Sequence, residues 1–176
     1  DAGGGAWAHQ PRAGEVAIAP QLGRIAFGTA PAAPPKVSYH YGLAGSLGGG
    51  GYDREASFSS EKAPIRVPAK HPTVQAALTA AAGGGAVEIT DSARYAETLA
   101  IKAKTAGAHV ELRAADQRAP FLALGGRLVV TGADLTSVSL NGLWIAGAAL
   151  HVPAAADNKL QHLSLRHCTL TPGVSR

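Results

Sequence analysis

The feature that most constrains this chain is a five-residue pattern, x-apolar-x-apolar-x, that recurs four times in its second half: AVEIT at 86–90, HVELR at 109–113, SVSLN at 137–141 and HLSLR at 162–166. The copies start 23, 28 and 25 residues apart. A period in the twenties marks a solenoid, in which one repeat cannot bury its apolar side alone and does so only by stacking on its neighbours. A second alternating segment follows in the later copies, at Leu122 and Leu124, Leu143 and Ile145, and Cys168 and Leu170. A third is marked by Leu99 and Ile101, Leu128 and Val130, and Leu150 and Val152.

Three short strands per coil predict an all-β fold for residues 70–176: a short right-handed parallel β-helix of about four coils, each stacked roughly 4.8 Å above the last. Like positions then form inward columns. The expected columns are Val87/Val110/Val138/Leu163 and Ile89/Leu112/Leu140/Leu165 on one wall, with Leu122/Leu143/Cys168 and Leu124/Ile145/Leu170 on a second. A β-sandwich would pair neighbouring strands antiparallel and would not repeat a three-strand cassette.

Composition fits this reading. Hydrophobic residues make up 46% of the 176, yet there are only three Phe and two Trp and no Met, so the core must be built from small aliphatic groups. Twenty-two Gly and eleven Pro supply the many turns that short strands need. After Pro72, TVQAALTAAA places Val74, Ala77, Leu78 and Ala81 on one helical face before Gly83, Gly84 and Gly85 stop it. Such a helix would cover the open end of the stack.

Upstream, residues 1–15 are expected to be a flexible segment. Residues 16–52 are expected to form a small three-strand β element, marked by Val16 and Ile18, Ile25 and Phe27, and Val37 and Tyr39, followed by a Gly-rich loop. The charged, Pro-bounded stretch 53–69 is expected to be a linker. At the other end CTLTPGVSR supplies a second strand without a third. The β-helix is therefore expected to be truncated there, with the chain continuing beyond Arg176 or associating through this edge.

Several function classes are disfavoured. The net charge is +4, but Lys and Arg are scattered singly rather than clustered as a phosphate backbone requires. No apolar run approaches the roughly 18 residues of a membrane span. A single cysteine, Cys168, gives no disulfide framework, and its inward register makes it a small buried hydrophobe. The seven His residues lack metal-ligand spacing, and GSLGGGG lacks the Lys-Ser/Thr of a phosphate loop. No metal, cofactor or catalytic residue is assigned.

The stretch HPTVQAALTAAAGGGAVEITDSARYAETLAI resembles the opening of pectin-lyase-like β-helices, in which a capping helix of the form IQAAL leads through glycines to a first strand and a Y-x-E-x-L turn, matched by Tyr95, Glu97 and Leu99. LGRIAF, VSYHYG, VELRAADQRAPFLAL, LNGLWIAG and LSLRHCTLTPG are similar to segments of uncharacterised bacterial proteins associated with phage-tail-like contractile particles. The resemblance covers residues 20–173. It implies a module of a bacterial particle or cell surface whose partners are other protein subunits or the remainder of the chain.

It also implies that substrate, in an enzyme, would lie along the outward face of the first strand ladder. That face carries Glu88, His109, Glu111, Arg113, Asn141, His162 and Arg166 as candidate ligand-binding residues. In the expected register Glu88 and Glu111 are neighbours able to shift each other's ionisation, Arg113 can hold a carboxylate, and His109 can act as acid or base. The simpler reading is a solvated strand face with Glu111 paired to Arg113 or His109. The several aspartates of the family's calcium and catalytic pattern do not occur on this face, which favours a non-enzymatic structural or surface-binding module over a carbohydrate-active or carbohydrate-binding one. Trp144, between inward Leu143 and Ile145, should point outward and mark an interface.

Overall fold

A computed structural model describes residues 10–19, 23–36, 45–60, 63–154 and 158–171. The chain divides into two compact units, Asp1–Leu43 and Ala44–Arg176. In the first, β1 (Val16–Ala19) pairs antiparallel with β2 (Arg24–Phe27), placing Val16 opposite Phe27 and Ile18 opposite Ile25. Val16 and Ile18 are exposed. The third strand expected around Val37 and Tyr39, and residues 1–9 of the expected flexible segment, lie outside the described residues.

The second unit is a parallel β-solenoid of about four turns with one helix. After β3 (Ile65–Val67) and α1 (Val74–Ala80), the coils follow as β4 (Gly85–Ile89), β5 (Arg94–Glu97) and β6 (Ala100–Ala103); β7 (His109–Ala114), β8 (Phe121–Leu124) and β9 (Leu128–Gly132); β10 (Thr136–Asn141), β11 (Trp144–Ala146) and β12 (Leu150–His151); and β13 (Leu160–Arg166) with β14 (Thr169–Thr171). Three parallel sheets result, in the orders β13-β10-β7-β4-β3, β14-β11-β8-β5 and β12-β9-β6. Side chains alternate in and out along each strand, so the inward aliphatic groups of all three walls meet in one core.

On both walls the inward columns differ from the sequence expectation at one step by two residues, which preserves which side of the strand faces the core. Val110, Val138 and Leu163 do align, but Val87 stands opposite Leu112 and Ile89 opposite Ala114. The reason is electrostatic as well as steric. The expected register would set the Glu88 and Glu111 carboxylates side by side, whereas the observed one sets Glu88 beside Arg113, and like charges directly opposite destabilise a sheet. On the second wall Leu122 aligns with Ile145 and Leu170 rather than with Leu143 and Cys168. That register brings Phe121 against Trp144 edge to face, with ring centroids 5.4 Å apart, and leaves Leu143 buried at the corner before β11.

α1 seals one end. The Thr73 hydroxyl accepts from the Ala76 N–H at 3.2 Å, and the Glu97 carboxylate, at the end of β5, accepts from the Val74 and Gln75 N–H groups at 2.9 Å each. Gln75 clamps the backbone of Ala100, receiving its N–H at 2.7 Å and donating to its carbonyl at 3.2 Å. Val74, Ala77 and Leu78 turn into the core, and Gly84 and Gly85, at φ of 123° and 117°, carry the chain from helix to strand in a conformation other residues resist. At the opposite end β13 and β14 pair on one side only among the described residues, and Leu165 and Leu170 are partly exposed although their strand positions face inward.

Candidate functional site

The outward positions of the five-stranded sheet form a polar grid. Glu88 sits beside Arg113, which sits beside Asn141 and then Arg166; Glu111 leads to Ser139 and Ser164; His109 leads to Ser137 and His162. The parallel ladder thus brings all seven candidate residues onto one face. An outward position does not, however, mean a solvated one. Glu88, Glu111, Arg113 and Asn141 are all buried.

What buries them is the chain itself. Residues 45–60 run along this face as a strap, and residues 53–69, read from the sequence as a linker, then enter the sheet through β3. The strap starts where Gly49 comes so close to the Leu143–Trp144 backbone that a Cβ would lie 2.6 Å from the Leu143 carbonyl carbon, so only glycine fits. The Tyr52 hydroxyl bonds to the Gly48 carbonyl at 2.9 Å and to His167 Nδ1 at 2.8 Å. Asp116 accepts from the Arg54 N–H at 2.8 Å, and the Asn141 amide donates to the Ser57 carbonyl and hydroxyl at 3.2 and 3.0 Å. Ser59 closes the contact by donating its N–H and hydroxyl to Glu111 at 3.2 and 2.7 Å.

Beneath the strap, charges are matched in a compact cluster. Arg113 Nε and Nη2 donate to one Glu88 oxygen at 3.0 and 2.9 Å, and Nη1 donates to Glu111 at 3.0 Å. The guanidinium lies 4.3 Å from the centre of the Phe58 ring, which roofs it. Arg66, largely exposed, reaches the other Glu88 oxygen at 3.3 Å. A glycosidase needs two carboxylates flanking a sugar. Here an arginine fills the space between them.

Arg54 is buried nearby at 3% exposure. Its Nη2 donates to the carbonyls of Gly50, at 2.7 Å, and Arg118, its guanidinium stands 4.9 Å from the Tyr52 ring centre, and Nε and Nη1 have no partner among the described residues. Gly142, at φ 74°, gives it room. Cys168 is half-buried against the core, and burial pushes its thiol up, with the field of Arg54 among smaller opposing effects. It is no activated nucleophile.

No family model, curated protein or solved structure matches this chain.

The remaining candidates lie past the edge of the strap. His109 bonds through Nδ1 to Ser137 Oγ at 2.8 Å and through Nε2 to Ser139 Oγ at 3.0 Å. His162 and Arg166 are exposed on the last strand of the grid. On the second wall Trp144 is 46% exposed, with its indole N–H donating to Thr171 Oγ1 at 2.8 Å. Among the described residues no three His, Cys, Asp or Glu side chains group as metal ligands, and no helix is long and apolar enough to cross a membrane.

Sequence reasoning missed the strap and its residues Arg54, Ser57, Phe58 and Ser59. The signal was a lone Phe58 in an otherwise polar stretch, preceded by four consecutive glycines at 48–51. An isolated aromatic needs a surface to cover, and a glycine run permits close backbone approach.

Proposed function

We propose that this chain is a non-enzymatic, structural or surface-binding β-helix module of a larger bacterial assembly, of a phage-tail-like or cell-surface kind. One observation carries the reading: on the face where a pectin-lyase-like enzyme would hold substrate, the chain's own strap covers the half that carries Glu111, Arg113 and Asn141, and both carboxylates, Glu88 and Glu111, are locked onto Arg113. Such a face stiffens a rod. The strand edge at β13 and β14, unpaired among the described residues and with Leu165 and Leu170 partly exposed, supports association through that end, and the half-exposed Trp144 supports a lateral contact. Other protein subunits, or further coils of the same protein, are the partners this chemistry suits.

The test joins two measurements. Sedimentation over a range of concentrations should show self-association, or binding to proteins of the same assembly, that weakens in Leu170→Asp. Incubation with acidic and neutral polysaccharides should release no new reducing ends. Cleavage that disappears in Glu111→Gln would replace this reading with the carbohydrate-active one, which the polar pocket beside His109 favours.

A further inference from the structure

Beside Ser57, Phe58 and Ser59 the strap borders a pocket without filling it. The cavity has a volume of about 210 Å³ and opens over β7, β10 and β13, with Phe58 as one wall. Its hydrogen-bonding capacity is lopsided. Among the described residues Glu111 is the one carboxylate that lines it, and that group already accepts from Arg113, the Ser59 hydroxyl and the Ser59 N–H. Arg166, by contrast, has no carboxylate within ion-pair distance among the described residues, and neither His162 nor Ser164 has a side-chain hydrogen bond there.

The pair of serines on β10 adds a further donor. A neutral imidazole donates from one nitrogen and accepts at the other. His109 is held at both nitrogens, so one of Ser137 and Ser139 gives its proton to the ring while the other receives from it and keeps its own O–H proton free. Whichever tautomer is present, one serine hydroxyl can turn that proton toward the pocket. The donors therefore come from two strands and several directions: a guanidinium, an imidazole and a hydroxyl from β13, and a hydroxyl from β10. A surplus of converging donors with one uncompensated positive charge fits an anion rich in acceptor oxygens.

We propose that this pocket binds a phosphate or sulfate group. A tetrahedral oxyanion presents oxygens in as many directions as the donors approach from, which a planar carboxylate does not. The volume leaves room for a small body attached to the group. The inference stands apart from the proposed structural role, because a rod can carry such a site whether or not it assembles.

Calorimetric or NMR titration of the intact chain with inorganic sulfate, inorganic phosphate, glycerol phosphate and acetate tests it. Saturable binding of sulfate or phosphate is expected, weakened about tenfold or more in Arg166→Gln and in Ser164→Ala, and unchanged in Arg127→Gln, which alters an exposed arginine elsewhere. Tighter binding of glycerol phosphate than of the free ion assigns the site to a carried phosphate; the reverse assigns it to the free anion. Absence of saturable binding by all three, indifference to Arg166→Gln, or acetate binding as tight as sulfate would each overturn the proposal. Arg166 is exposed and Ser164 only half-buried, and an unchanged circular-dichroism melt of each variant separates lost binding from lost folding.

Discussion

Replacing Arg113 by Met removes the charge that holds the buried cluster together while keeping most of the side chain's length under Phe58. The magnitude depends on which regime the ion pairs occupy. Exposed pairs contribute roughly 0 to 1 kcal/mol, whereas removing one partner of a buried pair costs about 3 to 5 kcal/mol, because the other charge is left without compensation. With side-chain exposures of 6% for Arg113, 10% for Glu88 and 2% for Glu111, the buried regime applies. Arg66 cannot substitute, since it is 62% exposed and touches only the far Glu88 oxygen. Arg113→Met should therefore lose about 3 to 5 kcal/mol in urea denaturation followed by circular dichroism. The same change combined with Glu88→Gln and Glu111→Gln should recover at least half of that loss, because no buried charge is then stranded. Hydrogen exchange at Phe58 and Ser59 should accelerate in the single variant first. A loss below about 1 kcal/mol for Arg113→Met, or a triple variant as unstable as the single one, would refute the idea that matched charges anchor the strap.

Other consequences follow from the same geometry. Leu140→Ala, at a fully buried position, should cost about 2 to 5 kcal/mol, while Leu165→Ala in the same column, 37% exposed, should cost only about 1 kcal/mol in the isolated chain; equal losses in denaturation would mean that the far end is covered. Gly142→Ala should destabilise the strap, since its φ is 74° and the new methyl would sit 2.8 Å from the Arg54 guanidinium, with faster proteolysis between 45 and 60 as the readout. Glu97→Ala removes the acceptor of two N–H groups at the start of α1 and should cost about 0.5 to 2 kcal/mol by thermal unfolding. Because burial pushes the Cys168 thiol above its ordinary range, iodoacetamide should modify it more slowly at neutral pH than it modifies the unfolded chain; labelling of the folded protein as fast as of the unfolded chain would contradict this placement.

The coil was legible because stacking is a periodic demand. Each repeat must present apolar groups at alternate positions to the same core, so Val110, Val138 and Leu163 announce their shared column from sequence alone. Absolute register was less legible, for a physical reason. A slip of two residues keeps the in-out parity intact, and only outward neighbours such as Glu88 and Arg113, or Phe121 and Trp144, decide among the registers that parity allows. Those preferences come from pairs on different coils, more than twenty residues apart, and no local pattern contains them. The capping helix, by contrast, was readable through its own spacing and its glycine stop.

The candidate site shows the other limit. Alternation correctly placed Glu88, Glu111, Arg113 and Asn141 on the outside of the sheet, but solvent exposure depends on what lies over the sheet, and the covering segment precedes the solenoid in the chain. Its residues carry no period, because the strap is used once and repeats nowhere. It is instead fitted to the sheet residue by residue: a glycine where backbones nearly touch at Leu143, an aromatic over Arg113, a serine for the free capacity of Glu111. Beside Ser59, the side chains of His162, Ser164 and Arg166 line a pocket and have no side-chain partner among the described residues. The same segment thus withdraws one half of the polar grid from chemistry with solutes and leaves the other half available to a ligand. Function on this face should accordingly respond to changes at Arg166 and Ser164, while changes at Glu88, Glu111 and Arg113 should register mainly as lost stability.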